Sequence, residues 1–344
     1  MSWISRVLIG VVVVLLLVIG ALAWLFRSQA EAIPDELPTL DASKTAPADI
    51  MIPGGDIPDL KVAELKGKRA YFVLEDRESM QAGESKDLNR ALARWELGDD
   101  VVGYAIGDAQ GFGVFRSKID EFMGMMRPEM RLPLYIDYEG VFYDAFMLPR
   151  GHTGFVLLGP DSEVVHRHSG PADADAIEAI RGHLDGREPE PPPAPDFAVA
   201  EVNGASCEGR VCLFAFLDAP VERAAIPGIE GGFDGGREES FKRFAEPSVR
   251  LVGVIAGADE KIDEDKHTAV IVGDVKGFEF RRVKTVDAAP EARAAFGLGD
   301  GAGLVVVDHG RLAFKAEGKV AFWQLGLVAD ILGVDLGERD HGEP

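Results

Sequence analysis

The sequence predicts an α/β protein with two sandwich domains in tandem behind an N-terminal transmembrane helix. Three observations carry this expectation. The chain has 344 residues, more than one ordinary domain of ~100 to 200 residues and enough for two. A proline-rich run at residues 188–195 divides it, and the stretches on either side repeat one order of apolar runs. Residues 7–26 carry no charged side chain. Composition excludes further classes: 36 Lys and Arg against 58 Asp and Glu give a net charge of −22, which repels phosphate backbones and argues against a nucleic-acid partner. A hydrophobic share of 47% with only two cysteines excludes wholesale disorder and a disulfide-rich scaffold.

Taken in order, residues 1–27 are the anchor. At ~1.5 Å per residue the apolar run spans the ~30 Å hydrocarbon layer. Trp3 and Trp24 sit where indoles favour the interfaces, and Arg6 and Arg27 bracket the span. The alternative is a cleaved signal peptide, whose apolar core runs ~7 to 15 residues. Arg6 plus the α-amine against Arg27 alone places the N-terminus in the cytoplasm and the rest in the periplasm or cell exterior. The membrane is therefore one expected partner. Residues 28–58, with prolines at 34, 38, 47, 53 and 58, read as an acidic stalk. Domain 1 covers 59–186, a proline linker 187–195, domain 2 196–338 and a tail 339–344.

In each domain a charged-glycine-basic turn leads into a buried strand that ends at aspartate, residues 66–76 in the first and 208–218 in the second, an offset of 142. Residues 151–159 and 300–308 match at an offset of 149, and a turn and second strand follow each, 164–170 and 312–318. Each copy closes with a helix at helical apolar spacing: Ile177, Ile180 and Leu184 in one, Val320, Trp323, Leu327 and Ile331 in the other. Between these, copy one carries a helix capped by Ser85 with the stripe Leu88, Ala91, Leu92 and Trp95, a strand over 101–106 and a helix over 117–126. Copy two carries a helix over 237–245 and a strand over 249–255. Such alternation predicts a mixed sheet between helices.

The glycine-basic turn into a buried strand, the late hairpin ending at Gly170 or Gly318 and the closing helix resemble thioredoxin-like proteins of the peroxiredoxin and membrane-tethered maturation type. More narrowly, Leu65-Lys66-Gly67-Lys68, Arg77-Glu78-Ser79, Phe115-Arg116-Ser117 and Leu134-Tyr135-Ile136-Asp137 make the first domain similar to the YtfJ type of periplasmic thioredoxin-like protein. The resemblance implies chemistry at the turn between first strand and first helix, where a helix N-terminus lowers a cysteine's pKa. Those turns, residues 76–85 and 218–236, contain no cysteine, and Thr153 and Ala302 stand where the family places its cis-proline. What the resemblance leaves is a groove for extended peptides. Arg77, Glu78, Ser79, His152 and Thr153 frame it in copy one; residues 226–236, with Gly231 and Gly232, face Gly301 and Ala302 in copy two.

Ser79 has no neighbouring histidine in sequence to act as base, so no serine nucleophile is expected. Cys207 and Cys212 read as a loop thiol and a buried apolar residue, as a structural disulfide of an oxidising compartment, or as a catalytic pair. The catalytic option is disfavoured because nothing cationic or helix-terminal is expected beside either sulfur. His166 and His168 share a strand face, yet two ligands are too few for a metal. Asp259, Glu260, Asp263, Glu264 and Asp265 lack calcium-loop spacing and read as a solvated loop. No cofactor and no metal is expected. The sequence thus predicts a non-catalytic binding or scaffold module for an unidentified envelope protein or peptide. The alternatives are a thiol-disulfide oxidoreductase or peroxiredoxin-like enzyme using Cys207 and Cys212, and a structural envelope component.

Overall fold

The computed structural model describes residues 31–34, 36–40, 49–223 and 246–333. The chain divides into two compact units, Met1–Arg127 with Leu132–Arg187, and Pro128–Arg131 with Glu188–Pro344.

In the first unit the short strands β1 (Met51–Ile52) and β2 (Leu60–Lys61) pair antiparallel ahead of a five-stranded sheet. That sheet is built from β3 (Arg69–Glu75), β4 (Val101–Asp108), β5 (Leu134–Asp137), β6 (Gly154–Leu158) and β7 (Val164–Ser169), in spatial order β5-β4-β3-β6-β7. β3, β4 and β5 are parallel, while β6 and β7 return as an antiparallel hairpin. β3 is central because both of its faces are apolar. Ala70, Phe72 and Leu74 join one core with Val156, Phe142 and Phe146; Tyr71 and Val73 join another with Phe155, Leu88, Leu92 and Ile180. Helices α1 (Arg77–Ala82), α2 (Lys86–Arg94), α3 (Arg116–Met126), α4 (Val141–Ala145) and α5 (Ala174–Leu184) connect the strands. α2 and α5 cover one face and α4 the other. α3 buries no side chain, and Phe115, Phe122 and Met125 in and beside it are exposed.

The second unit contains β8 (Ala198–Val199), β9 (Val202–Asn203), β10 (Val211–Phe216), β11 (Val221–Glu222), β12 (His267–Val272), β13 (Val275–Lys276), β14 (Val283–Val286), β15 (Gly303–Asp308) and β16 (Arg311–Glu317). Its main sheet runs β14-β12-β10-β15-β16, with the first three strands parallel and the last two antiparallel, the same plan as in the first unit. Helices α6 (Pro247–Ala258), α7 (Pro290–Ala295) and α8 (Phe322–Leu332) complete it. His309 and Gly310 both have positive φ, 49° and 79°, the pattern of a two-residue type I′ turn that suits the twist of β15 and β16. Within this unit the buried Arg250 guanidinium contacts both oxygens of Glu129 at 2.6 and 3.1 Å, and Lys319 joins the same carboxylate.

Several expectations are corrected. Residues 249–255 are not a strand but the body of α6, where the Arg250 N–H donates to the Glu246 carbonyl at 3.0 Å. An apolar run of this length suits a buried strand and a buried helix equally well, and Pro247 in the first turn, where no N–H is needed, settles it as helix. The strand beside β10 is β12 instead. On α8 the buried face is Leu325, Val328, Ala329 and Leu332, one step round from the expected Trp323, Leu327 and Ile331. Ser85 is the N-cap residue of α2 as expected, but its hydroxyl makes no capping bond; it donates to Glu75 at 2.5 Å and accepts from Asn89. The expected stalk is packed in part, since Ile50 and Ile52 lie in the first core. The proline linker is no free spacer: the Leu312 N–H donates to the Pro192 carbonyl and the Ala194 N–H to the Gly310 carbonyl, laying it along β16. The apolar segment 7–26, the helix at 237–245 and the loop at 226–236 fall outside the described residues. Among the described residues no helix is long and apolar enough to cross a membrane.

Phe72 and Phe214 are both fully buried on central strands. Truncating either to Ala is expected to cost about 3 to 5 kcal/mol of unfolding free energy. Urea titration should show these losses, while Val165→Ala, at a 41% exposed position, should stay within about 0.5 kcal/mol of the parent.

Candidate functional site

The site of interest in the first unit lies at the C-terminal ends of its parallel strands, where open α/β sheets leave a crevice. Asp76 follows β3, Asp108 ends β4 and Asp137 ends β5. Each carboxylate is engaged by backbone. Asp76 Oδ1 accepts the Ser79 N–H at 2.9 Å, and Ser79 Oγ accepts the Asp76 N–H at 3.0 Å, a reciprocal capping box that starts α1. Asp76 Oδ2 accepts the N–H of Gly151, from the loop that enters β6. Asp137 accepts from Gly140 at 2.8 Å and Phe142 at 2.9 Å. Asp108 accepts from the Gln110 N–H at 2.8 Å and pairs with Arg150.

Electrostatics follow from burial. Desolvation raises Asp108, against the Gln110 hydrogen bond and the nearby Arg150. A carboxyl shifted this way is where acid–base chemistry is sought, but its side chain is 4% exposed and covered by Arg150. Desolvation raises Glu75 as well, the Ser85 hydroxyl working against it. The buried Tyr143 phenol is held protonated by desolvation and donates to the His152 carbonyl at 2.8 Å. His152 Nδ1 lies 2.9 Å from Glu84 Oε1, and its Nε2 lies 2.7 Å from the Glu31 carbonyl. Burial opposes the imidazolium, yet the hydrogen bonds to Glu84 and Glu31 outweigh it and raise His152 above its ordinary 6.5.

The expected groove residues divide. Ser79 and Thr153 are buried, so neither hydroxyl faces an incoming ligand. Ser79 Oγ also donates to the Asp76 carbonyl at 3.1 Å, leaving it neither base nor freedom for nucleophilic attack. Thr153 Oγ1 has no hydrogen-bond partner among the described residues, while its N–H donates to Glu84 Oε2 at 2.8 Å. Arg77, Glu78 and His152 are half-buried at the surface. Sequence reasoning missed Glu84, Asp108 and Arg150; for Asp108 the signal was present as an acidic residue at the end of each of three parallel strands, and no local pattern marked the other two.

In the second unit Asp218 follows β10, and Ser248 at the start of α6 both accepts its N–H at 3.0 Å and donates to its carboxylate at 2.5 Å. Gly231 and Gly232 lie outside the described residues. Ala302 is fully buried and Gly301 half-buried. The loop carrying them is braced by Arg293, which donates to the carbonyls of Gly299, Gly301 and Leu217 and lies 5.3 Å from the Phe216 ring centre. Cys207 and Cys212 are joined in a disulfide, fully buried among Phe197, Phe214 and Phe296. Cys212 lies near the start of β10, six residues before Asp218, or about 20 Å at ~3.3 Å per residue. The bridge therefore sits at the opposite end of the strand from the groove.

His166 stacks on His183 at 4.7 Å and is pushed down to about 4, by burial first and then by His183 and His168. Among the described residues no three His, Cys, Asp or Glu side chains gather as a metal site. Asp259, read as solvated, is buried and accepts the N–H groups of Arg281 and Arg282 at 2.8 and 2.9 Å, a structural role.

No family model matches the chain, and no curated protein matches it. Among solved structures it is similar to the exposed lipoprotein thioredoxin Etrx1 of Streptococcus pneumoniae, at 20% identity over 40% of this chain and 100% of that one, with a TM-score of 0.33. It is likewise similar to a secreted Mycobacterium tuberculosis disulfide oxidoreductase, at 15% identity over 40% and 96% with a TM-score of 0.28. Peroxiredoxin Q of Xanthomonas campestris gives 16% over 44% and 97%, with a TM-score of 0.29. These neighbours share a thioredoxin-like fold, and the α/β class of this chain rests on its own strand order.

Because the folded His152 pKa lies above 6.5, its contribution to stability is complete below the unfolded value and is lost as pH rises through the folded one. The stability difference between the parent and His152→Gln is therefore expected to be largest at mildly acid pH and to shrink above neutrality. Urea midpoints from pH 5 to 9 check this, and a gap that widens with pH would contradict it.

Proposed function

We propose that this chain is a membrane-anchored, envelope-facing protein whose two thioredoxin-like domains have lost their redox centres and serve as a non-catalytic binding or scaffold module. One observation carries the reading. At the strand-to-helix turn of the first unit, the position for a nucleophile is held by a capping box with Ser79 fully buried, and the turn has no thiol. The chain's two sulfurs are bridged in the second unit's own core, at the end of β10 away from Asp218. The apolar run at 7–26 supports the anchor, with the cytoplasmic N-terminus favoured by Arg6, and the YtfJ-like residues of the first domain accord with a periplasmic address. An oxidoreductase would have to work through Cys207 and Cys212, and their burial disfavours that.

The partner surface in this reading is the rim of the groove, where Glu78 and His152 stand half-buried. Photo-crosslinking from full-length protein in native membranes is expected to capture an envelope partner, and Glu78→Arg to reduce the yield severalfold without moving the thermal midpoint. Protease added after outer-layer permeabilisation is expected to digest the chain beyond Arg27. Full protection would overturn the topology, and unchanged crosslinking by the variant would overturn the placement.

A further inference from the structure

The segment assigned to a free stalk is held against the first unit's groove. The Glu31 N–H donates to the Arg150 carbonyl at 2.8 Å, and the Arg150 N–H donates back to the Glu31 carboxylate at 3.2 Å. The Glu31 carbonyl lies 2.7 Å from His152 Nε2. Two residues on, Ile33 covers Gly170 so closely that a Cβ added there would lie 2.5 Å from the Ile33 Cδ1. Farther along, Arg167 donates to the Pro38 carbonyl at 2.6 Å, and Leu37 packs on the core. Extended chain held through main-chain donors and acceptors, with a side chain in a notch, is how folded domains take peptides.

We infer that the loop before β6 and the end of β7 form a peptide site, that residues 31–34 fill it in cis, and that its external ligand is an extended peptide with an acidic residue, a spacer, an aliphatic residue and proline. The chemistry selects that pattern. The acidic side chain meets a backbone N–H on a wall where Arg150, already paired with Asp108 and Asp144, His152, paired with Glu84, and Arg167 keep further carboxylates from facing it unmatched. The aliphatic residue needs the space that Gly170 leaves by having no side chain. Proline after it keeps that residue extended and brings no N–H requiring a partner. The inference rests on the binding reading above and adds that the site is occupied by the protein's own chain. A tethered copy competes at an effective concentration on the order of millimolar, so an external peptide of equal intrinsic affinity is outcompeted until the tether is displaced.

The test uses full-length protein in detergent and a fluorescein-labelled peptide with the sequence of residues 29–38, read by fluorescence polarisation. Replacing residues 31–34 by Gly-Ser-Gly-Ser in the protein is expected to tighten peptide binding at least tenfold over the parent. Ile33→Asp, at a 41% exposed position that folding tolerates, is expected to act in the same direction. Peptides carrying Glu31→Lys or Ile33→Asp should bind the replaced protein at least tenfold more weakly than the parent peptide. Equal binding by parent and both variants, or equal binding of parent and altered peptides, would overturn the cis site. Crosslinking that persists in membranes despite such a failure leaves the wider binding reading standing. Peptide binding without any crosslinked partner does the reverse.

Discussion

The carboxylate of Asp76 is the tie on which the first unit's groove depends. One oxygen caps α1 through Ser79, and the other holds the Gly151 N–H in the loop opposite. These are the two walls of the crevice at the C-terminal ends of the parallel strands. Joining them through a single buried side chain fixes their separation, each carboxylate oxygen accepting one backbone N–H. Ser79, buried in the same box, is a structural residue for the same reason. Deletion of either partner would leave a buried N–H or carboxylate without a mate, which costs more than the bond itself contributes.

The loop opposite the helix is then stiffened differently in the two units. In the first, Arg150 reaches Asp144 and Asp108. In the second, the position matching Asp144 is Arg293 and the one matching Arg150 is Gly299, and Arg293 donates to the Gly299 carbonyl. The cation has moved to the other side of the same gap while the brace between the two positions is kept. In both units an arginine therefore braces the loop that enters the first strand of the late hairpin. In the first unit this leaves the Arg150 carbonyl and N–H for extended chain, and Glu31 pairs with both.

Much of this plan was legible in the sequence, and the exceptions have physical causes. The central strands stood out because β3 and β10 are apolar on both faces, and the repeat stood out because each of these strands leads to an aspartate. Residues 249–255 failed because composition alone does not separate a buried strand from a buried helix, and the deciding residue, Pro247, lies outside the run. Ser85 begins α2 as expected, yet its hydroxyl does not cap it because the long side chain of Glu75, ten positions earlier, claims it. The docking of residues 31–40 depends on Arg150, His152, Arg167 and Gly170, more than a hundred positions away, and no local pattern announces such pairing. For the cysteines, spacing left three readings open; the fold places both sulfurs in one core.

Whether this protein binds rather than acts as a thiol oxidoreductase turns on that sulfur pair, which holds both of the chain's cysteines. The most direct measurement is a thiol-trapping redox titration of the full-length protein, with reductase and peroxidase turnover followed alongside. Cys207 and Cys212 are expected to remain bridged down to potentials below about −300 mV, where structural disulfides of secreted proteins lie, and to support no turnover. Reversible opening between about −120 and −270 mV, the range of working oxidoreductases, together with turnover lost in Cys212→Ala, would contradict it.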